Sequence, residues 1–326
     1  MSPFGIKRGD TDRTRIFFAT DVHGSERCFR KWVNAAAVYE ADALILGGDV
    51  TGKSLIPIVE SQGGWDCQVH GRRYHADDEG ALEGIRSKIR AIGQYDVVLS
   101  PADRPLLEEP AELDSYFAKA MRDRLVSWVR LARERLGSGR VQVYMMLGND
   151  DDPALADVLR EADAVTYAED AVVSLPGGYE LVSVGYSTPT PWNTRRELSE
   201  EKLAAVIDAQ AQKLSDQSRA IFNFHCPPVG THLDLAPKLD ETLRPVVDIN
   251  GQVMIPVGSR SVRAAIETVQ PLLGLHGHIH ESAGVERIGR TVCINPGSDY
   301  HQGVLRGAIV DLHRDKGVRT WQLIQG

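Results

Sequence analysis

Short apolar runs that stop at aspartate, asparagine or histidine constrain this chain more than any other feature. Residues 16–19 end at Asp21-Val-His23, and residues 43–46 at Gly47-Gly48-Asp49. Residues 141–147 run into Gly148-Asn149-Asp150-Asp151, residues 220–224 into His225, and residues 272–275 stop just before Gly277-His278-Ile279-His280. Runs of this length, rich in β-branched and aromatic residues and bounded by glycine and polar groups, predict buried strands. Each polar cluster then sits at the C-terminal end of a strand, where open α/β sheets gather their ligand sites.

Helical patterns separate the strands. Ser25 can cap a helix reaching about Glu40, with Phe29, Trp32, Val33 and Ala36 at helical spacing. Asp152-Pro153 is a helix start, and Ser199 and Ser259 open two more helices. Hairpins are expected later: Gly284–Ile288 with Thr291–Asn295, residues 307–312 with 318–324, and residues 172–175 with Tyr179–Val184 around Pro176-Gly177-Gly178. The expected fold is α/β, with two mixed β-sheets packed face to face and helices on both outer sides, a four-layer αββα sandwich.

About 100 residues separate Asp49 from Asn149, far more than one crossover helix needs. Residues 51–110 are therefore expected to be an inserted, cap-like segment within a single domain spanning 1–326. It holds a hairpin turning at Gly71 and a helix near 79–92, and a further helix follows near 112–136.

Composition bounds the function. With 326 residues, 42% hydrophobic and 25% charged, the chain can bury a sizeable core. A net charge of −8 with the two signs interspersed argues against a long nucleic-acid partner. Four scattered cysteines without a CxxC pair read as reduced core residues. The first 15 residues lack the apolar stretch of a secretion signal. No apolar run approaches the roughly 20 residues of a membrane span. A cytoplasmic protein without membrane association is the expectation.

The polar clusters have the composition of a two-metal site. Two divalent ions about 3.5–4 Å apart need a shared ligand, and a carboxylate is the natural bridge. Asp49, at a tight Gly-Gly-Asp turn, is the candidate. Asp21 and His23 lie two apart, so an extended loop can point both to one side, and His278 and His280 repeat that spacing with Gly277 permitting the bend. Asn149 adds a neutral amide oxygen and His225 an imidazole. Mixed imidazole and oxygen ligation suits Mn, Fe, Zn or Co better than Ca.

In this order the clusters resemble the calcineurin-like metallophosphoesterase superfamily, whose pattern is D-x-H, G-D, G-N-H-[DE], H, then G-H-x-H. Asn295-Pro296-Gly297-Ser298 matches a segment that often follows the last histidine pair. Residues 188–194 (Thr-Pro-Thr-Pro-Trp-Asn-Thr) and 47–53 (Gly-Gly-Asp-Val-Thr-Gly-Lys) further resemble an Icc-related subgroup of predicted phosphoesterases, distantly related to cyclic-nucleotide diesterases. The resemblance implies that Asp21, His23, Asp49 and His280 bind one metal, and that Asp49, Asn149, His225 and His278 bind the other. It implies hydrolysis of a small phosphoester, a diester before a monoester, by attack of a hydroxide bridging the metals. The alternative is a catalytically weak or inactive protein of the same fold acting as a binding module, as in the retromer subunit that shares it.

One position departs from the pattern. Asp150 stands where the superfamily usually has a histidine that protonates the leaving oxygen or stabilises the transition state. An unperturbed aspartate is ionised at neutral pH, and nearby cations keep it so. Either the leaving group departs without an acid, or another side chain such as His232 or His301 substitutes, or catalytic power is reduced. Asp151 reads as a solvated or supporting carboxylate, Asp152 as a helix cap, Trp192 as a packed loop aromatic or a base-stacking platform, and His276 as structural.

Overall fold

Alternation along the first strand sets the layering. In Arg13–Ala19, Ile16 and Phe18 belong to one apolar cluster, Phe17 and Ala19 to another, and all four are fully buried, because successive strand residues face opposite sides. A strand buried on both faces needs a covering layer on each. In the computed structural model, which describes residues 12–326 except 138, 170 and 250, those layers are a second sheet on one side and helices on the other.

The first sheet runs in spatial order Gly317–Gln325, Arg306–His313, Arg13–Ala19, Ala43–Gly47, Gln142–Met146 and Thr166–Tyr167. Its last four strands are mutually parallel and its first two antiparallel. The second sheet runs Gly284–Ile288, Thr291–Asn295, Leu273–Leu275, Ala220–Phe224, Tyr179–Val184 and Val173–Leu175, parallel in the middle and antiparallel at both edges. Ile16, Phe18, Ala43, Ile45 and Tyr144 of the first meet Leu181, Ile221, Leu273, Leu275, Val292 and Ile294 of the second in the central apolar layer.

Helices Glu26–Val38 and Pro110–Leu136 cover the outer face of the first sheet with Phe29, Trp32, Met121, Leu125 and Trp128. Glu200–Ala211 and Arg260–Val269 cover the second with Leu203, Ile207, Val262 and Ile266. The expected serines cap three of them: Ser25, Ser199 and Ser259 accept from the backbone N–H of Cys28, Lys202 and Val262. Asp152 caps as expected, opening a 3₁₀ turn at Pro153–Leu155 and then a short helix, Ala156–Arg160. The four-layer αββα sandwich of two mixed sheets is therefore present.

Between Ala43–Gly47 and Gln142–Met146 the chain forms a third, four-stranded sheet in the order Arg72–Ala76, Gly64–Val69, Leu55–Ser61 and Tyr95–Leu99. With helix Glu79–Ala91 it encloses a small core of Ile58, Cys67, Leu82, Ile85 and Ile89. The hairpin at Gly71 and the helix match expectation. Its two other strands were not anticipated, because Leu55–Ser61 carries Pro57, which weakens a strand reading. Pro57 lies opposite Val97 in the parallel pair. All four cysteines are buried and free. Among the described residues no helix is long and apolar enough to cross a membrane.

Candidate metal centre

Parallel strands end at one edge of a sheet, so the loops leaving Arg13–Ala19, Ala43–Gly47 and Gln142–Met146 start side by side. The first two continue as a ladder beyond their strands: Asp21 N–H donates to the Gly48 carbonyl at 3.0 Å, His23 to Asp49 at 2.9 Å and Gly24 to Val50 at 2.8 Å. This brings Asp21, His23 and Asp49 together. The backbone is strained to do so. Asp21, His23, Asp49 and His278 all have positive φ, 52°, 39°, 48° and 68°. Non-glycine residues rarely adopt that region, and strain of this kind gathers at functional sites.

Asp151 locks the third loop to the second. It is fully buried and accepts from the N–H groups of Val50 (3.0 Å), Thr51 (2.8 Å) and Gly148 (2.7 Å) and from the Thr51 hydroxyl (2.5 Å). Of the two readings of Asp151, solvated or supporting, the second holds: it is buried and supports the Asp49 loop from beneath. A Cβ on Gly148 would overlap the Asp49 carboxylate and backbone nitrogen, so only glycine lets these loops touch. Gly277 has the same reason: a side chain there would strike Thr20 and Asp21, so close approach rather than the expected bend demands it.

The second sheet brings the histidines. His225 follows Ala220–Phe224, and Gly277 N–H donates to its carbonyl at 3.0 Å, which sets the His278–His280 loop beside it. The His278 amide donates to the Asp21 carboxylate at 3.1 and 3.2 Å. Asn295 Nδ2 donates to the carbonyls of Ile279 (2.9 Å) and Gly277 (3.3 Å), while the Ser298 hydroxyl donates to the Asp21 carbonyl at 2.6 Å. The Asn-Pro-Gly-Ser segment therefore ties the last histidine loop to the first aspartate loop.

Six of the seven expected ligand residues fall into two adjoining clusters. Asp21, His23 and His280 form one cluster and Asp49, His225 and His278 a second, the donor atoms within each lying inside 4.8 Å of one another. Asp49 Oδ2 stands between them, 3.6 Å from His23 Nε2 and 3.4 Å from His225 Nε2. His23 Nε2 and His280 Nε2 approach to 3.1 Å. His225 Nδ1 lies 2.8 Å from the Gly47 carbonyl. A carbonyl only accepts, so Nδ1 carries a proton there and Nε2 is the nitrogen left to face the pocket. His225 Nε2 and Asn149 Oδ1 are buried without a hydrogen-bond partner. Asn149 Nδ2 donates to the Thr194 hydroxyl at 2.9 Å, which turns Oδ1 away from Thr194. Buried polar atoms left without partners are costly, and a cation is what this donor set satisfies.

The electrostatics agree. Burial opposes ionisation of Asp21 and Asp49, yet the charge of His225 and its neighbours holds both below the usual carboxylate range. Burial also opposes charge on His225, but Asp49 and Asp21 push it up to about 10. The pocket draws positive charge inward, and a metal ion would take the place of that proton. Burial lowers His278 to about 4, which suits a neutral ligand.

Asp150 lies beside the centre. Its amide donates to Asp49 Oδ1 at 3.0 Å, its Oδ2 is 3.9 Å from His23 Nδ1, and it forms an ion pair with Lys53. Burial and the Asp49 charge raise it to about 6 although Lys53 pulls it down, so within the chain itself the cation does not dominate as expected. His232 is exposed and lines a groove with Arg263, Glu286 and Arg287 that holds none of the seven donors. Its expected part as a substitute acid is not met by this placement. His301 is likewise exposed. His276 is buried with Nδ1 2.8 Å from the Phe224 carbonyl, the structural place expected of it. Trp192 is exposed rather than packed. Sequence reasoning assigned no role to Tyr300, whose ring lies 4.6 Å from that of His23 and 5.8 Å from that of His280. Its place four residues after Asn295-Pro296 was the one available signal.

No family model matches the chain. The uncharacterized protein MJ1162 of Methanocaldococcus jannaschii is 29% identical over 161 residues, 49% of this chain and 65% of that protein, so less than two thirds of the relative is spanned. One solved crystal structure aligns over 96% of this chain and 99% of its own with a TM-score of 0.54 at 15% identity, a likeness of fold. A dimetal phosphatase from Danio rerio aligns over 96% of this chain and 98% of its own at 12% identity, with a TM-score of 0.37. A likeness of that size bears on neither fold detail nor chemistry.

Proposed function

We propose that the protein is a phosphoesterase dependent on two divalent metal ions, hydrolysing small phosphodiesters in preference to monoesters. The observation that carries this is the paired donor set: two Asp/His clusters side by side with the Asp49 carboxylate between them. Asp21, His23, Asp49 and His280 would hold one ion, and Asp49, Asn149, His225 and His278 the other. When bound, such a pair supplies Lewis-acid charge to the phosphoryl oxygens and an activated water as nucleophile.

The chain's own groups prepare the site for that substrate. The strained loops fix the donors before substrate arrives, so little reorganisation accompanies reaction. Asp150 brings negative charge where the resembling sequences have an imidazole, and it offers no cationic acid to a poor leaving group. Diesters carrying a good leaving alcohol should therefore be preferred. Residues 51–110 are read as an elaboration inserted into a single domain. The binding-module alternative draws no support from a site whose ligand set is complete.

Manganese-loaded protein should contain two metal equivalents by elemental analysis and hydrolyse bis(p-nitrophenyl) phosphate faster than p-nitrophenyl phosphate. Rapid monoester hydrolysis with no diester activity would overturn the preference, and absence of bound metal would overturn the whole reading.

A further inference from the structure

Lys53 is a cation beside the centre to which the metal motif gives no part. It closes the loop that carries Asp49, and its ammonium pairs with Oδ2 of Asp150 while the side chain stays 50% exposed. Asp150 is itself held in place. Its amide donates to Asp49 Oδ1 at 3.0 Å and its Oδ1 accepts from Asn149 Nδ2 at 3.2 Å, so one residue links a bridging-ligand candidate, through its backbone, to an amide ligand candidate and Lys53, through its carboxylate. The Lys53 loop is pinned from behind. Thr51 donates twice to Asp151, and the Gly52 amide donates to the buried phenol oxygen of Tyr95 at 2.9 Å. Tyr95 begins a strand of the third sheet and stacks under Arg124 of the long helix at 5.2 Å. The third sheet therefore positions the lysine.

Resting on the phosphoesterase reading above, we infer that Lys53 is a catalytic residue that replaces the missing histidine: its ammonium, aimed by Asp150, contacts the substrate phosphoryl group and neutralises the charge that grows there. The chemistry suits the residue. An ammonium has three donors and a compact charge, and Asp150 is its one ion-pair partner among the described residues. Lysine binds phosphate as a point charge, without the planar geometry arginine requires. The Lys53 side chain is half exposed and belongs to no apolar core cluster, so removing it should leave the fold intact.

The test compares wild type, Lys53→Ala and Lys53→Arg, each loaded with manganese. Metal content, melting temperature, inorganic phosphate binding by calorimetry, and kcat and KM on bis(p-nitrophenyl) phosphate are measured. Lys53→Ala should keep both metals and the wild-type melting temperature. It should lose about 10²-fold in kcat, as for removal of one transition-state donor, and bind inorganic phosphate about tenfold more weakly. Lys53→Arg, which keeps the charge, should recover part of both. Wild-type kcat and phosphate affinity in Lys53→Ala would overturn the role of Lys53 alone. So would loss of manganese from that variant, since Lys53 would then support the metals and not the substrate. A wild type that binds manganese yet hydrolyses no phosphoester would overturn the phosphoesterase reading as well.

Discussion

The two large sheets have six strands each and a parallel middle, the first antiparallel at one edge and the second at both, yet they contribute different chemistry. Loops of the first supply both ligand carboxylates and the amide, Asp21, Asp49 and Asn149, together with His23. Loops of the second supply imidazoles only, His225, His278 and His280. The clusters Asp21, His23, His280 and Asp49, His225, His278 each take members from both, while a third grouping, His23, Asp49 and Asp150, comes from the first sheet alone. Strain is unequal too: three of the four positive-φ donors, Asp21, His23 and Asp49, belong to the first sheet. Neither sheet alone brings all the histidines and aspartates together, so the paired arrangement depends on how the sheets are docked. The contacts that cross between them, His225 Nδ1 to the Gly47 carbonyl at 2.8 Å and the His278 amide to Asp21 at 3.1 Å, set that docking at the site itself.

This division can be broken at its shared point. Asp49→Ala removes the carboxylate that stands between the two clusters and, on the bridging role proposed for it, should abolish binding of both metals. The loss should exceed the ~10–100-fold typical of deleting a hydrogen-bond partner of a ligand. Elemental analysis after dialysis reads the result, and two tightly held metals in the variant would show that Asp49 is not the bridge.

Support of the first-sheet loops can be tested next. Asp151→Ala strips the acceptor from three amides and a hydroxyl. Because buried donors left unpaired cost about 1–3 kcal/mol each, denaturant unfolding should show a loss of at least about 3 kcal/mol, with weakened metal binding. Unchanged stability would mean that the loops hold without this clamp.

The smallest effect concerns pH. Asp311 joins Arg15 across the first sheet at 2.7 and 2.9 Å. Burial works to raise its pKa, but the Arg15 hydrogen bonds and charge hold it below the usual carboxylate value. A depressed carboxylate contributes stability that is present above its unfolded pKa and disappears as pH falls through the folded one. This increment should be lost between about pH 5 and pH 1. Asp311→Asn should be less stable at neutral pH and show a shallower loss on acidification, followed by thermal melting across that range. Parallel acid limbs in the two proteins would exclude the pair as a source of pH dependence.

Much of this was written locally. The strand at Ala220–Phe224 and the hairpin Gly284–Ile288 with Thr291–Asn295 fall where apolar runs and turn residues place them. Ser25, Ser199 and Ser259 cap the helices they precede. These signals depend on neighbours a few positions away, so periodicity and capping chemistry reveal them. The seven donors were legible for a related reason, since strand ends place polar clusters at one rim whatever the rest of the chain does.

Other features depended on partners far along the chain. Asp151, the middle of three consecutive aspartates, could equally have been solvated; only its burial against Val50 and Thr51, about 100 positions away, makes it a clamp. Thr194 orients Asn149 across 45 positions, and Tyr95 fixes the Gly52-Lys53 turn across 43. His232 looked able to reach the pocket until the course of its loop put it on the surface. Thus the sequence alone determined which polar residues lie at the converging strand ends, because apolar period and strand-end polarity are local properties. Tertiary structure alone decided which groups hold those residues in place and which cation stands beside Asp150, because hydrogen bonds and ion pairs between distant segments have no pattern until the sheets are packed.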